Sequence, residues 1–323
     1  MSVSVAGLVL LTIAYTDQFN FPLKTSEIYQ RLIAISIDKK KLLEILKLLA
    51  DKKLITQKAD CTQKAGCTHK AGCTCEVGCW QLGTRLIKPE LRWAREKLSQ
   101  TRWPEVDELS RIIGWIGWVK GIGVTGSLAM KNIRPKSDID FMIVTQPHRL
   151  WVTRLLVMLI IWIVGKRRTR HGAEDDSWCF NLWLDTASMD LPIYKQTIYS
   201  AYEVCQAKWV LDKDGTAQEF YQANQWVKVY LPNYYQECVV SGGEELIRTT
   251  KKHWSVFYWL WSWLWSSFFY LINLTAYAFQ LVYMYPHLTR EKVSLGFAYF
   301  HPRSTSNVVY QRWYNSLLVL WKN

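Results

Sequence analysis

The residues whose types and spacing could do chemistry lie between positions 124 and 144. A Gly-Ser pair, Gly126-Ser127, is followed after ten residues by Asp138 and Asp140, which flank a single isoleucine at the start of an apolar strand. Side chains alternate along a strand, so both carboxylates are expected on one face. Paired carboxylates on a buried strand repel each other and are costly to desolvate, and a divalent cation relieves both effects. The spacing therefore predicts a metal site at Asp138 and Asp140.

The Gly-Ser pair predicts a second element beside this metal site. Gly126 lets the backbone approach a ligand closely, and the Ser127 hydroxyl with the amides of a helix start can hold phosphate oxygens. Ser137, directly before Asp138, is predicted to contribute to the same nucleotide site. A phosphate cradle beside a hard cation is what nucleoside triphosphate chemistry needs. The alternative, a surface turn leading into an ordinary strand, leaves Asp140 unexplained.

The order Gly-Ser, ten variable residues and Asp-x-Asp resembles the DNA polymerase β-like nucleotidyltransferase superfamily, in particular its minimal bacterial members. The match runs from Gly126 to Asp140 without a gap, with apolar flanks on both sides, and the resemblance covers about residues 110–190. It implies a small mixed-sheet nucleotidyltransferase core with a two-metal Mg²⁺ site. It further implies transfer of a nucleoside monophosphate from a nucleoside triphosphate to a hydroxyl. The acceptor, whether nucleic acid, protein or small molecule, stays open.

Members of this superfamily usually carry a third carboxylate on a following strand, which the pattern predicts over residues 177–184. Strand alternation sets four side chains on one face, namely Cys179, Asn181, Trp183 and Asp185. Asn181 holds the central position without a charge, and Asp185 lies near the strand end, so both stay candidates for the third metal ligand. Asp175 and Asp176 are further candidates. This departure leaves catalytic competence open and favours a second hypothesis, a nucleotide-sensing regulator with a degenerate transferase domain.

Residues 1–87 are typical of a winged-helix-like domain, which the resemblance also allows. The predicted elements are helices over 5–16, 25–35 and Lys39–Leu49 and strands over Leu54–Gln57 and Val77–Leu82. Asp38 is the predicted N-cap of the third helix. In a DNA-binding protein that helix would enter the major groove, and its lysines could contact phosphates. These lysines are Lys39, Lys40, Lys41 and Lys47. A protein-interaction or purely structural wing is the alternative.

A Cys-rich repeat with a period of six residues is inserted between the two wing strands, at about residues 57–80. It holds five of the eight cysteines of the chain. Its Cys-x5-Cys spacing differs from the Cys-x2–4-Cys spacing of zinc knuckles, which argues against a zinc site. The repeat is typical of an insertion in a tolerant loop.

Residues 191–323 are predicted to be a helical C-terminal region with a Trp-rich apolar helix. The segment 254–286 contains no Asp, Glu, Lys or Arg and is long enough to span a membrane. Its polar residues recur at gaps of seven and four and should form one stripe that faces a neighbouring helix or the catalytic domain. They are Ser255, Ser262, Ser266, Asn273 and Gln280. A buried or peripherally membrane-associated helix and a true span both stay open.

Length, composition and charge limit the possible domain organisation, partners and localisation of the protein. The chain has 323 residues, and the sequence divides into regions 1–87, 88–190 and 191–323, in which the middle region is the transferase core of an α+β protein. The formal net charge of +13 indicates an anionic partner, such as a nucleotide, nucleic acid or a membrane surface. No convincing secretory signal begins the chain, so we expect a cytoplasmic protein with reduced cysteines. Membrane association through residues 254–286 is the alternative, and a membrane-associated scaffold is a third hypothesis.

Overall fold

The computed structural model of the protein describes residues 3–59, 78–85, 87–164, 178–244, 256–287, 291–300 and 305–322. Most of the Cys-rich repeat falls at residues 60–77 and therefore lies outside the described residues, as do Asp175 and Asp176. Predictions for these positions are not decided by the fold.

The N-terminal unit combines three helices with a small antiparallel sheet. Its elements are α1 (Val5–Asp17), β1 (Leu23–Lys24), α2 (Thr25–Gln30), α3 (Lys39–Asp51), β2 (Ile55–Ala59) and β3 (Gly78–Leu82). The strands pair in the order β1-β3-β2. Asp38 caps α3 as expected, because its Oδ1 accepts a hydrogen bond of 2.8 Å from the Lys41 amide. The sequence pattern did not predict β1, which is only two residues long.

The helix α4 (Pro89–Gly114) follows this unit and is fastened to it by a buried arginine. The Arg92 side chain is 2% exposed and forms ion pairs of 2.7 Å with Glu27 and 2.9 Å with Glu96. Its guanidinium also lies 4.2 Å from the ring centroid of Phe21. Burial raises the pKa of Glu27, but the hydrogen bonds from Arg92, the charges of Arg31 and Arg92 and the Lys24 amide together outweigh it, so the net shift is downward. The pair therefore links α4 to α2 as ionised partners.

The remainder of the chain forms a six-stranded sheet with helices on both faces. Its elements are β4 (Val119–Thr125), α5 (Gly126–Ala129), β5 (Ile139–Thr145), α6 (Leu150–Val164), β6 (Trp178–Asp185), α7 (Ile198–Gln206), β7 (Lys208–Asp212), α8 (Thr216–Ala223), α9 (Val227–Tyr230), α10 (Pro232–Glu244), α11 (Val256–Met284), β8 (Lys292–Val293), β9 (Phe297–Tyr299) and α12 (Thr305–Lys322). The strand order is β7-β4-β5-β6-β9-β8. Only β5 and β6 run parallel, so the sheet is mixed and the α+β class is confirmed.

Three strands of this sheet come from residues 191–323, which were expected to be helical. They are β7, β8 and β9, at the two edges of the sheet. The prediction was wrong there because these strands have only two to five residues, too few to show an alternating pattern. The sheet consequently crosses the expected boundary at residue 190.

The two faces of the sheet pack against different helices. On one face Phe141 and Ile143 of β5 join a core with α4, α6 and α11. On the other face Met142 and Val144 join a core with α7, α8, α9 and α10. Tyr15 of α1 belongs to this second core, so the N-terminal unit packs against that side of the sheet. Asp140 alternates with Phe141 and therefore faces α7.

The polar stripe predicted for the apolar C-terminal helix faces a neighbouring helix. Asn273 and Gln280 of α11 are buried against α6. The Trp151 amide donates to Asn273 Oδ1 at 2.8 Å, and Gln280 Nε2 donates to the Trp151 carbonyl at 2.9 Å. For these two residues the prediction is confirmed. Among the described residues, one stretch, Ser266–Met284, is long and apolar enough to cross a membrane.

Replacement of Arg92 tests the attachment of α4 to the N-terminal unit. Arg92→Leu is expected to lower the free energy of unfolding by about 3 kcal/mol, because it leaves Glu27 largely buried without its counter-ion. Urea unfolding measures this change. Arg111→Leu is the matched control, since Arg111 is exposed on the same helix. Equal losses in the two variants would contradict the buried ion pair.

Candidate functional site

The carboxylate of Asp140 lies against the backbone of Gly126. Asp140 of β5 pairs with Thr125, the last residue of β4, in the antiparallel register. Gly126 follows with a φ of +64°, a conformation that side chains disfavour. A Cβ atom added to Gly126 would collide with the Asp140 carboxylate. Gly126 of the Gly-Ser pair and the second aspartate are therefore in direct contact.

A cavity of about 350 Å³ opens beside this contact. Its polar lining includes Gly126, Ser127, Asp140, Asn181 and Glu203, and its aromatic lining includes Tyr15, Phe19, Phe21 and Tyr199. The volume falls in the range of about 300–1,000 Å³ that is typical of small-molecule sites. No Lys, Arg or His occurs among the described residues that line it. The cavity thus combines carboxylates with an aromatic wall.

Glu203 is the residue of this cavity that the sequence did not reveal. It is half-buried on α7, one helical turn after Tyr199. Burial and the nearby Asp140 carboxylate raise the pKa of Glu203 to about 7, and a hydrogen bond with Tyr199 partly opposes that shift. One signal was available: Glu203 is the single charged residue in α7, whose neighbouring positions are mostly apolar and buried.

Asn181 is the member of β6 that reaches Asp140. Its Nδ2 donates to Asp140 Oδ1, and its Oδ1 accepts a bond of 2.8 Å from Cys179 Sγ. The register of β5 and β6 shifts between Asp140 and Met142. That irregularity breaks the expected alternation, because Trp183 packs in the core on the opposite face of the sheet. Cys179 and Asn181 therefore share the cavity side without Trp183.

Asp185, the other candidate for a third metal ligand, lies at the far end of β6. It pairs with Thr145, whereas Asp140 pairs with Cys179 at the opposite end of the strand. Its Oδ1 accepts a hydrogen bond of 3.1 Å from the Ala187 amide, and burial raises the pKa of Asp185. The structure therefore does not bring Asp185 together with Asp140, because about five residues of extended strand separate the two positions.

The other predicted site residues are divided between the cavity and its surroundings. Ser127 lines the cavity in α5, which is only four residues long. Asp138 is half-buried immediately before β5 and is not among the lining residues. Ser137 lies in the preceding turn, where its amide donates to the Arg134 carbonyl at 3.2 Å, and it does not line the cavity either.

The side chains fit a divalent cation in part. Asp140 and Glu203 bring two carboxylates to one cavity, and oxygen ligands of this kind suit Mg²⁺. In the described part of the chain no three His, Cys, Asp or Glu side chains form a cluster that could hold a metal ion. A cation at this site would therefore draw its remaining ligands from a bound ligand and water, as Mg²⁺ commonly does.

Three of the four aromatic residues that line the cavity, Tyr15, Phe19 and Phe21, belong to the N-terminal unit, which contacts both α7 and the segment after α5. The Tyr15 ring stacks on Tyr202 of α7 at a centroid distance of 4.2 Å. Asn132, after α5, donates to the Phe19 carbonyl at 3.2 Å and accepts from Arg95 Nη1 at 2.7 Å. The cavity therefore exists only where the N-terminal unit meets the sheet.

No protein-family model matches this chain, and no curated protein matches it. Any function assigned to the chain therefore rests on its own residues and their geometry.

The raised pKa of Glu203 predicts that the free energy of unfolding decreases as the pH rises. An acid whose pKa is higher in the folded state binds more protons there, so stability falls as pH rises from about 4.5 to about 7. Glu203→Gln removes this loss. Relative to the wild type, the variant should gain about 1–3 kcal/mol of unfolding free energy between about pH 5 and about pH 8.

Urea unfolding of both proteins at the two pH values measures the gain. The control is Glu219→Gln on α8, because Glu219 is exposed and should show no such pH dependence. A constant difference between wild type and Glu203→Gln at both pH values would contradict the raised pKa.

Proposed function

We propose that the protein is a Mg²⁺-dependent nucleotidyltransferase that moves a nucleoside monophosphate from a nucleoside triphosphate to a hydroxyl acceptor. The observation that carries the proposal is the contact between Gly126 and the Asp140 carboxylate at the edge of a ligand-sized cavity. It joins the two halves of the Gly-Ser and Asp-x-Asp pattern in space. The resemblance of that pattern to the DNA polymerase β-like superfamily supports the same reaction.

The lining of the cavity suggests how a nucleotide would be bound. Phe19 and Tyr199, which are half-buried, offer aromatic rings for the base, whereas Gly126 and Ser127 offer a close backbone approach and a hydroxyl for the phosphates. Asp140, which lines the cavity, would hold the Mg²⁺, and Asp138, half-buried immediately before β5, is proposed as its second carboxylate ligand. A cation held there would supply positive charge against the triphosphate and would favour attack on its α-phosphorus. Since two carboxylates and no basic side chain line the described cavity, nucleotide binding should require the divalent cation.

Glu203 is proposed to accept the proton of the acceptor hydroxyl. The hydroxyl oxygen bonds to the α-phosphorus, the bond to the pyrophosphate oxygen breaks, and pyrophosphate leaves while the proton goes to the Glu203 carboxylate. A base works best when its pKa is near the working pH, and burial, the largest cause of the shift, raises the pKa of Glu203 whether or not a cation is bound to Asp140. This role gives the cavity a carboxylate on α7 that β6, with Asn181, does not supply.

Removal of the Asp140 carboxylate tests the transfer reaction. Asp140→Asn is expected to lower the transfer of label from nucleoside triphosphates, labelled at the α-phosphorus, by about a thousandfold or more, because the metal loses its charged ligand. The assay contains purified protein, Mg²⁺ and cell extract as the acceptor pool. The labelled product identifies the acceptor class.

The matched control is Asp107→Asn, because Asp107 is exposed on α4, away from the cavity. It should transfer label at the wild-type rate, and chelation of the metal should stop transfer by both proteins. Equal transfer by wild type and Asp140→Asn would refute the assignment of the site.

The second candidate is a nucleotide-sensing, DNA-binding regulator with a degenerate transferase domain. Two observations favour it. Asn181 donates to Asp140 at a position where the superfamily usually has a carboxylate. In the N-terminal unit, which we interpret as a winged-helix-like domain, α3 buries Leu42 and Leu46 and exposes Lys40 and Lys47. Exposed lysines on a third helix suit contacts with phosphates.

The regulator makes its own prediction for α3. The double variant Lys40→Ala/Lys47→Ala should bind duplex DNA more weakly at every sequence, and the slope of log affinity against log salt should decrease by about two. Fluorescence anisotropy with a labelled duplex measures both. Lys97→Ala/Lys208→Ala is the control, because both lysines are exposed outside the N-terminal unit. If both double variants bind DNA with the affinity of the wild type, this role for α3 is excluded.

A further inference from the structure

The helix α6 exposes apolar side chains along one side. Val157 and Ile161 pack in the core beneath the sheet. The exposed positions recur at helical spacing and are Leu155, Leu156, Leu159, Trp162 and Ile163. In a helix that covers a sheet in water, this side is ordinarily charged or polar. α6 instead has apolar side chains both on the side that packs against the sheet and on the side exposed to solvent.

The helix α11 continues this apolar surface. It is held to the protein by a stripe of four buried residues, Asn273, Ala276, Gln280 and Met284. The rest of its described surface exposes large apolar side chains that include Phe268, Leu271, Phe279, Val282 and Tyr283, and the exposed Tyr285 follows directly after the helix. The 29 residues of the helix contain no Asp, Glu, Lys or Arg. Most of the helix circumference is therefore apolar and open.

The exposed sides of the two helices form one surface because the helices run side by side in the same direction. His148 contacts Tyr270, Trp151 binds Asn273, and Arg154 binds Gln280 further along. We call this surface the α6/α11 face. With more than ten large apolar side chains it covers on the order of 1,000 Å², whereas soluble monomers rarely expose apolar patches above a few hundred Å².

We propose that the α6/α11 face lies in the plane of an anionic membrane surface and docks the protein there. The proposal does not depend on nucleotide transfer. The face consists of aliphatic side chains together with Trp162, Tyr270, Tyr283 and Tyr285, and Trp and Tyr prefer the region of lipid headgroups. The sequence that follows α6 contains Lys166, Arg167, Arg168 and Arg170. Lys251 and Lys252 precede α11, and the net charge is +13, so charge favours an anionic bilayer over a second copy of this basic chain.

The attachment of α11 favours docking over crossing. The stretch Ser266–Met284, which is apolar enough to cross, is the stretch that contains Asn273 and Gln280. Both side chains bind the backbone of Trp151 in α6, and Trp151 is packed in the core of the sheet. A crossing helix would either break these bonds or draw α6 and the sheet into hydrocarbon. Docking of the α6/α11 face keeps all of these contacts.

Vesicle flotation with the full-length chain tests the proposal. Wild-type protein should float with phosphatidylcholine vesicles that contain phosphatidylglycerol and float less with phosphatidylcholine alone, and alkaline carbonate should release it. Trp162→Glu/Val282→Glu should reduce the vesicle-bound fraction by about tenfold or more, because it places two charges in the interface. Trp115→Glu/Val229→Glu is the matched control, since Trp115 and Val229 are 86% and 71% exposed, against 65% and 76% for the test residues.

Four results would overturn the proposal. Wild-type protein that stays in solution with both vesicle types would exclude a membrane as the partner. A wild-type dimer that dissociates in the Trp162→Glu/Val282→Glu variant would assign the face to a second copy of the chain. Equal flotation of the two double variants would assign binding to another surface. Resistance to carbonate, with one end of the chain protected from protease inside the vesicle, would show a crossing helix. Circular dichroism of both double variants verifies that they fold, and the lipid comparison and carbonate release need no variant.

Discussion

At the end of β4 the chain turns through Gly126, whose positive φ and missing Cβ let the Asp140 carboxylate of β5 lie against its backbone. The rest of the site depends on this contact. It ties the antiparallel register of Thr125 and Asp140 to the start of α5, so a shift of one residue would turn Asp140 into the opposite core. It also brings Ser127 and the carboxylate to the same cavity.

The cavity is a property of two structural units together. The sheet supplies its polar side, and α1 with the loop that follows supplies Tyr15, Phe19 and Phe21. Buried arginines hold the two units together, since Arg92 binds Glu27 and Arg95 binds Asn132. An interface that carries buried charges with several partners is costly to open. Any ligand bound there would contact both units, so the N-terminal unit is part of the site whichever function it has.

Polar groups also organise the apolar side of the molecule. Asn273 and Gln280 bind α6 through its backbone at Trp151, which orients α11 and leaves its remaining surface apolar. The same helix that completes one core with Ala276 and Met284 thereby presents a broad apolar surface outward. The cavity beside Asp140 and the α6/α11 face lie on opposite faces of the sheet, because Asp140 faces α7 whereas α6 packs beneath Phe141. Membrane docking would leave the cavity open to solvent.

The sequence by itself determined the features that depend on neighbours along the chain. These are the Gly126 turn, the Asp140 strand, the Asp38 cap and the polar stripe of Asn273 and Gln280, each visible as a short pattern or a fixed period. The tertiary structure alone decided which distant residues share the cavity. Glu203 on α7 meets Asp140 across more than sixty residues, and a register shift between β5 and β6 brings Asn181 there and leaves Asp185 at the far end. The short edge strands β7 to β9 also exist only through pairing. Local sequence patterns predict periodic elements and turns, but they do not predict which elements pack together. The site is formed by that packing.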